Sequence, residues 1–225
     1  MKKTKIVALV PMRHHSERVK HKNYRSFNGR PLFYWILKTL SKCLSIDSIY
    51  INTDSPVIKE KAPKISRRIH VIDRPENLRG DTVPMNDILL YDVQHVQADY
   101  YLQTHSTNPL LKSGTVERAI RLFLKSPRHD SLFAVTRFQT RLWDQDAKAM
   151  NHNPKRLERT QDLPPVYEEN SNLYMFTKEN LEKYKNRIGR KPLMFEVNKY
   201  EALDIDEEVD FQAAEVLMKA RRKRL

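Results

Sequence analysis

From Lys5 to Thr136 the chain alternates short apolar runs with stretches whose apolar residues recur every three or four positions. That alternation restricts the fold to a small class, because the two periods belong to strands and to amphipathic helices. Residues 5–10 form an apolar run ending at Pro11, as expected of a fully buried parallel strand. Phe33, Ile36, Leu37, Leu40 and Cys43 follow at helical spacing, with Pro31 at a tolerated first-turn position. Strand patterns recur at 48–53, 70–72, 100–103 and 132–136. Between them Asp54-Ser55-Pro56 opens a helix, and Met85 to Val96 and Val116 to Phe123 carry helical periodicity. Strands alternating with helices predict right-handed βαβ units, hence an α/β fold with a mostly parallel, doubly wound sheet and helices on both faces.

The pattern fails between residues 137 and 165, a stretch holding Pro154, Pro164, Pro165 and many charges. A loop of that length is usually functional. Regular patterns return as a strand at 172–176, a helix at 178–184, short strands at 193–197 and 202–205, and a closing helix from Glu207. With no repeat or low-complexity tract, residues 1–225 read as a single domain with 137–165 as an inserted arm. A 40% hydrophobic content supports a sizeable core. No apolar run reaches the length of about 18 residues that a membrane helix needs, so no membrane association is expected. The basic start is followed by too short an apolar run for a signal peptide, and it reads as a first core strand. Cys43 is the only cysteine, which rules out an internal disulfide and fits a cytoplasmic location; its place on an apolar face marks a packed thiol rather than a nucleophile.

The net charge of +13 calls for a polyanionic partner or substrate. Positives are spread along the chain with two concentrations. One is Arg13, Arg18, Lys20, Lys22, Arg25 and Arg30 against Glu17 alone; the other is the terminal run Lys219, Arg221, Arg222, Lys223 and Arg224. The terminal run reads as a solvated helix end. The first lies where α/β proteins hold phosphates, beyond the carboxyl end of the first strand. A nucleic-acid binder would rest on net charge alone.

Three segments fall at such strand ends: 11–23, 103–111 and 204–206. The first offers Arg13, Ser16, Arg18, Lys20 and Lys22, the several donors that a triphosphate requires at once. No glycine stands between Met12 and Arg25, so neither a Walker loop nor a dinucleotide fingerprint is present. In Asp204-Ile205-Asp206, a strand would turn both carboxylates to one side, and two carboxylates with phosphate oxygens and water are a usual Mg²⁺ arrangement. The competing reading is an acidic helix start, with Asp206, Glu207 and Glu208 answering the helix dipole. Basic loop and acidic pair, without a nucleophile–base constellation, suit nucleotidyl transfer, in which the protein positions reactants and offsets charge.

These segments resemble a known family. Arg13, Ser16 and Arg18 with Lys22-Asn23 after the first strand resemble the signature of acylneuraminate cytidylyltransferases, the CMP-sialic acid synthetase family. Thr53-Asp54-Ser55, Arg74-Pro75 with Asp81-Thr82, Gln103, Asn108-Pro109-Leu110, Gln161, Asn170 and Asp204-Ile205-Asp206 with Asp210 continue the match in family order over nearly the whole chain. The resemblance implies a Rossmann-like nucleotidyltransferase sheet with a dimerisation arm, and transfer of CMP from CTP to an acidic keto-sugar. It assigns catalysis to Arg13, Lys22 and Asp206, and CTP phosphates to Arg13, Ser16, Arg18 and Lys22. Asn23, Arg74, Asp81 and Thr82 fall at the cytidine pocket. Gln103, Arg159, Gln161 and Asn170 fall at the sugar, and Mg²⁺ at Asp204 and Asp206. A homodimer is expected, its arm lending side chains to the partner's sugar site and Trp143 serving as an interface anchor.

Two departures stand out. Glu17 occupies a place where the family commonly has lysine, with Arg18 beside it. Glu168-Glu169 precede Asn170-Ser171 where sialic-acid enzymes often carry an arginine. The substrate carboxylate then needs another cation, with Arg159, Arg141 and Arg137 as candidates, and the acid could be a sialic acid, another nonulosonic acid or a Kdo-type sugar. A relative that binds nucleotide without turnover is the remaining alternative. His105 reads first as an ordinary loop histidine, His14 and His15 equally as phosphate contacts or surface loop residues, and Trp35 as core.

Overall fold

The run after Lys5 becomes β1 (Ile6–Leu9), and all four of its residues are buried. A computed structural model describes residues 3–80 and 82–222. Asp81, one of the expected cytidine-pocket residues, lies outside the described residues, as do Lys223 and Arg224. β1 is followed by the long basic loop, which holds a small antiparallel hairpin of β2 (Ser26–Phe27) and β3 (Arg30–Pro31). Asn28 (φ 48°) and Gly29 (φ 79°) make its turn, the Asn-Gly pair that favours positive φ at both central positions.

Then come α1 (Leu32–Ser41), β4 (Ser48–Thr53), α2 (Pro56–Lys61) and β5 (Ile69–Asp73). Ser55 caps α2 by accepting from the Ile58 amide, and Pro56 fills the first helical position. The chain continues through α3 (Met85–His95), β6 (Tyr100–Gln103), α4 (Ser113–Leu124) and β7 (Ser131–Phe138). It closes with β8 (Val166–Phe176), α5 (Lys178–Tyr184), β9 (Pro192–Glu196) and α6 (Glu208–Arg222).

One seven-stranded sheet has the order β5-β4-β1-β6-β8-β7-β9. β8 pairs antiparallel with both neighbours, and every other pairing is parallel. The sheet is therefore mostly parallel. Alternate residues of β1 enter different cores, as the strand period demands. Ile6 and Ala8 join Phe33, Leu37, Val116 and Ile120 from α1 and α4 on one face. Val7 and Leu9 join Leu89, Val93 and Leu181 from α3 and α5 on the other. The doubly wound arrangement follows. A third cluster packs Val19 and Phe27 of the basic loop and hairpin against Ile205, Phe211 and Met218. It fastens the loop to the C-terminal helix.

Cys43 is fully buried just beyond α1, and burial pushes its thiol up to about 12. Trp35 is half-buried against the third cluster and donates Nε1–H to the Phe27 carbonyl. Arg221 donates to the Leu110 carbonyl, so this member of the terminal basic run is tied to the core rather than solvated. Among the described residues no helix is long and apolar enough to cross a membrane.

Two expected strands come out differently. Residues 202–205 join no sheet; the segment crosses above the strand ends, where the Ile205 amide donates to the Thr107 carbonyl and the Ile205 side chain packs in the third cluster. Burial satisfies its apolar residues without a ladder. β8 begins at Val166 rather than at residue 172, because 166–169 pair with 135–138 of β7 despite their polar character. The register shifts between Phe133 and Val135, and Ser171 adopts φ 57°, a bulge that splits β8 into a buried inner half and an outer ribbon. The inserted arm grows from this ribbon. It contains a bridge between Trp143 and Ala149, and a 3₁₀ turn at Thr160–Asp162.

Candidate active site

The loop after β1 holds its shape without glycine. The β1 path continues along β4 through Val10 and Met12, whose amides donate to the Tyr50 and Asn52 carbonyls. The His14 amide then donates to Asp54 Oδ1 at 2.7 Å. Buried Asn23 donates Nδ2–H to the Arg13 carbonyl at 2.7 Å and accepts from Ser106 Oγ at 2.6 Å, tying the loop to itself and to the end of β6. His21 takes the left-handed conformation (φ 60°) that a glycine would often supply, and a 3₁₀ turn over Lys22–Tyr24 follows.

Opposite this loop stand the two carboxylates. Lys22 Nζ donates to the Ile205 carbonyl at 2.7 Å and lies 3.7 Å from Asp206. Arg18 donates to Asp206 Oδ1 at 2.7 Å. Burial lowers the Lys22 pKa, against the opposing pull of Asp206 and Asp204. Asp204 Oδ1 is buried with no hydrogen-bond partner. Burial raises the Asp204 pKa, partly countered by a Thr107 hydrogen bond and reinforced by Asp206. The acidic helix start is present as well: Asp210 Oδ2 accepts from the Asp206 and Glu207 amides, and Glu208 receives a forked pair from Arg25 at 2.6 and 2.7 Å. The helix-start contacts thus fall on Asp210 and Glu208, and the Asp204 and Asp206 side chains stay on the side of the basic loop.

Arg13, Ser16, Arg18 and Lys22 line one cavity of about 420 Å³ together with Asp204 and Asp206. Asn23 and Arg74 belong to the same wall. Arg74 is buried and held by Asn52, through Nε to Oδ1 at 2.7 Å and Nη2 to the carbonyl at 2.9 Å. Asn52 in turn donates to Asp92 Oδ1 at 2.6 Å, and burial pushes the Asp92 carboxyl up to about 7. A second cavity, also about 420 Å³, is lined by Thr136, Glu168, Glu169, Asn170 and the exposed Lys199. Both cavities include Ser171, Asp204 and Asp206. They form one bipartite groove with the carboxylates at the junction.

The remaining expected residues are distributed unevenly. Thr82 is exposed and outside the cavity lining, whereas Gly80 and Val83 line it. Asn170 lines the second cavity and donates to Thr136 Oγ1 at 3.0 Å. Gln103 is fully buried and lines neither cavity; its Nε2 donates to His105 Nε2 at 2.8 Å and its Oε1 accepts from Arg187 at 2.7 Å. It supports His105, which does line the first cavity. Burial, then Arg187 and Lys22, push His105 down to about 3, so its ring is neutral and can accept from Gln103. Arg159 pairs with Asp162 at 2.7 Å and Gln161 gives its carbonyl to Gln139, both on the arm and outside both cavities. Arg137 and Arg141 also bond within the arm, to Gln139 Oε1 and to the Glu158 carbonyl. Glu17 is exposed and does not line the basic pocket. Arg187, Ser171 and Thr107 were not found from sequence. Arg187 sits in a basic turn (Lys185 to Lys191) that carries no periodicity to distinguish it from a solvated one.

A basic loop facing carboxylates across the carboxyl ends of a mostly parallel sheet is the build of the α/β nucleotidyltransferases. Within that class, the family model described as cytidylyltransferase matches residues 7–222, and the chain belongs to this family. It is 27% identical to N-acylneuraminate cytidylyltransferase A of Danio rerio over 93% of its own length, but spans only half of that protein. It is 25% identical to post-translational flagellin modification protein B of Campylobacter coli, with 97% of each chain covered. Among solved structures, CMP:2-keto-3-deoxy-manno-octonic acid synthetase complexed with CTP shares the fold, with a TM-score of 0.74 at 14% identity, covering 97% of this chain and 100% of that one.

Proposed function

We propose that the protein transfers CMP from CTP to the anomeric hydroxyl of an acidic keto-sugar, a sialic acid or a related nonulosonic acid, and releases pyrophosphate. The observation that carries this reading is the shared lining of the groove: Arg13, Ser16, Arg18 and Lys22 meet Asp204 and Asp206 in one cavity, which continues into a second. The first half takes CTP. Arg13, Arg18 and Lys22 offset phosphate charge, Ser16 adds a hydroxyl donor, and Asn23 and Arg74 wall the nucleoside. The second half takes the sugar beside Asn170. The sugar's oxygen forms a bond to the α-phosphorus, the α–β anhydride bond breaks, and the hydroxyl proton passes to water. Lys22 and Arg13 lie where charge grows on the departing pyrophosphate, the kind of preorganised stabilisation worth most at a dry site.

The orphaned Asp204 Oδ1 beside Asp206 fits a hard divalent cation, although no group of three ligating side chains occurs among the described residues. Asp204 and Asp206 would hold Mg²⁺, with phosphate and water oxygens completing its shell. The ion would supply charge neutralisation at the triphosphate. Arg18, on Asp206 here, would then be released towards the phosphates. The arm, with Trp143, Met150 and Leu157 exposed, is the surface for a second copy of the chain.

The test is pyrophosphate release from CTP with a panel of nonulosonic acids and 3-deoxy-manno-octulosonate, with and without Mg²⁺. Release is expected only when CTP, an acid sugar and Mg²⁺ are all present. CTP binding without release under any acceptor would leave a nucleotide-binding protein. Salt-sensitive affinity for DNA or RNA in place of CTP would overturn the reading altogether.

A further inference from the structure

The chain carries glutamates at 168 and 169, beside the acceptor half of the groove, and the arm arginines that could answer a substrate carboxylate are bonded within the arm. A different cation, Arg187, lines neither cavity itself but is bonded to residues at their walls: Glu169 of the second and, through Gln103, His105 of the first. Arg187 has a side chain only 16% exposed. It donates to Gln103 Oε1 at 2.7 Å and stacks over the Tyr174 ring at 3.5 Å. Its carboxylate partner is Glu169, at 3.8 Å and itself 44% exposed on the second cavity. Tyr174 also donates its hydroxyl to Glu169.

We infer that Arg187 is the group that reads the carboxylate of the acceptor sugar, with Glu169 as the resting counter-ion that the substrate supplants. This rests on the acceptor being acidic, as proposed above. The physical case begins with the spacing. A satisfied guanidinium–carboxylate pair closes to about 2.7–2.9 Å, often as a two-pronged fork. At 3.8 Å the Glu169 pair is loose, and a buried charge so weakly matched is costly to hold. Burial accordingly lowers the Arg187 pKa, with Tyr174 and Glu169 pulling the other way. The neighbouring His105 stays neutral, so it adds no competing positive charge.

Arg187 is also fixed in place. Lys185 ends α5 in the left-handed conformation, and the Arg187 amide donates to Asn86 Oδ1 on α3. Two residues on, a Cβ at Gly189 would run into the Asp130 carboxylate, and the Gly189 amide donates to Ser131 Oγ. The turn is pinned on both sides of the arginine. A fork held this firmly loses little freedom on binding a carboxylate. Ser171, bulged at φ 57°, lines both cavities between Arg187's partner Glu169 and the Asp204–Asp206 pair. A carboxylate seated there would hold the adjacent anomeric centre towards the metal-binding dyad.

The experiment measures steady-state kinetics and calorimetric binding for wild type, Arg187→Gln, Arg187→Lys, Glu169→Gln and Lys199→Gln. The probes are N-acetylneuraminate, its carboxamide and 3-deoxy-manno-octulosonate, each with CTP. Arg187→Gln is expected to raise the acid acceptor's KM and Kd about 10- to 100-fold, the worth of a charge-assisted fork, with KM for CTP unchanged. Its preference for acid over carboxamide should collapse. Arg187→Lys should recover part of both, and Glu169→Gln should tighten acid binding, the opposite of what loss of a purely structural ion pair would do. Should Arg187→Gln fail to fold, the paired Lys and Glu169 variants carry the same decision. The inference is overturned if acid affinity survives Arg187→Gln, if both pair members weaken it alike, or if Lys199→Gln takes the loss. A wild type that binds acid through Arg187 but forms no CMP-sugar would leave the inference standing and remove the transferase reading. A wild type that neither binds nor converts any acid would remove both.

Discussion

The two halves of the groove are built on opposite plans. In the half proposed for the nucleotide, the cations come from one continuous loop, Arg13 to Lys22, from which Arg18 and Lys22 reach Asp206 at 2.7 and 3.7 Å. In the half proposed for the acceptor, the wall is assembled from a bulge in β8, the end of β7 and the segment before Asp204, with Arg187, from the turn after α5, 3.8 Å from Glu169 of that wall. The first half needs only a strand end and a loop. The second needs three distant pieces of chain held in register. Chemistry common to every nucleotide triphosphate can be met by the first kind of surface, while discrimination among acceptors calls for the second.

The comparison can be broken most sharply at the junction. Asp206→Asn removes one of two charges that both halves share, and kcat for pyrophosphate release is expected to fall by about 10²–10³, the usual loss when a preorganised electrostatic group is removed. The thermal midpoint should move little, because Asp206 is half exposed and its pair with Arg18 is a surface one. Turnover that survived this change would separate the dyad from the reaction.

Arg13→Ala addresses the nucleotide half alone. KM for CTP should rise about tenfold or more, the scale of a lost charge-assisted contact, while CMP binding and acceptor KM hardly change. An equal loss for CMP and CTP would place Arg13 on the nucleoside rather than on the outer phosphates.

A smaller effect is expected at the back of the same half, where Asp92 supports Asn52 and hence Arg74. Burial raises the folded Asp92 carboxyl from 3.8 to about 7. The folded state therefore keeps a proton that the unfolded chain gives up. Its stabilising contribution is full below about pH 4 and is lost as pH rises towards 7. Urea unfolding at intervals from pH 4 to 8 should show Asp92→Asn gaining on wild type as pH increases. Parallel curves for the two proteins would mean that Asp92 is ionised throughout.

The smallest effect belongs to the arm. Arg159→Ala breaks an exposed pair with Asp162, and such pairs are worth about 0–1 kcal/mol. Acceptor KM should stay within about threefold if each chain's groove is complete, since Arg159 lines neither cavity. A large rise in acceptor KM at unchanged CTP KM would show that the arm completes the groove of a second copy.

Legibility in the sequence followed the same divide. The helix at 178–184 and the strands at 48–53 and 100–103 were readable to the residue, because buried faces impose a period of two or 3.6 on the local pattern. The basic loop and the acidic pair were readable as clusters. That Lys22 would touch the Ile205 carbonyl, 183 residues away in sequence, was not. The outer part of β8 was missed because residues 166–169 pair with β7 without a buried apolar face to mark them. Gln103 was legible only through its place at a strand end; that its side chain is buried between His105 and Arg187 was not.

What the sequence settled by itself was the alternating α/β order and the supply of cationic and carboxylate groups at strand ends, because local periodicity and local charge are written residue by residue. Only the tertiary structure decided which of those groups share a cavity, and that Arg187, from the turn after α5, pairs with Glu169 on its wall. Burial and pairing of charge depend on what other elements bring within a few ångströms, and no local pattern encodes that distance.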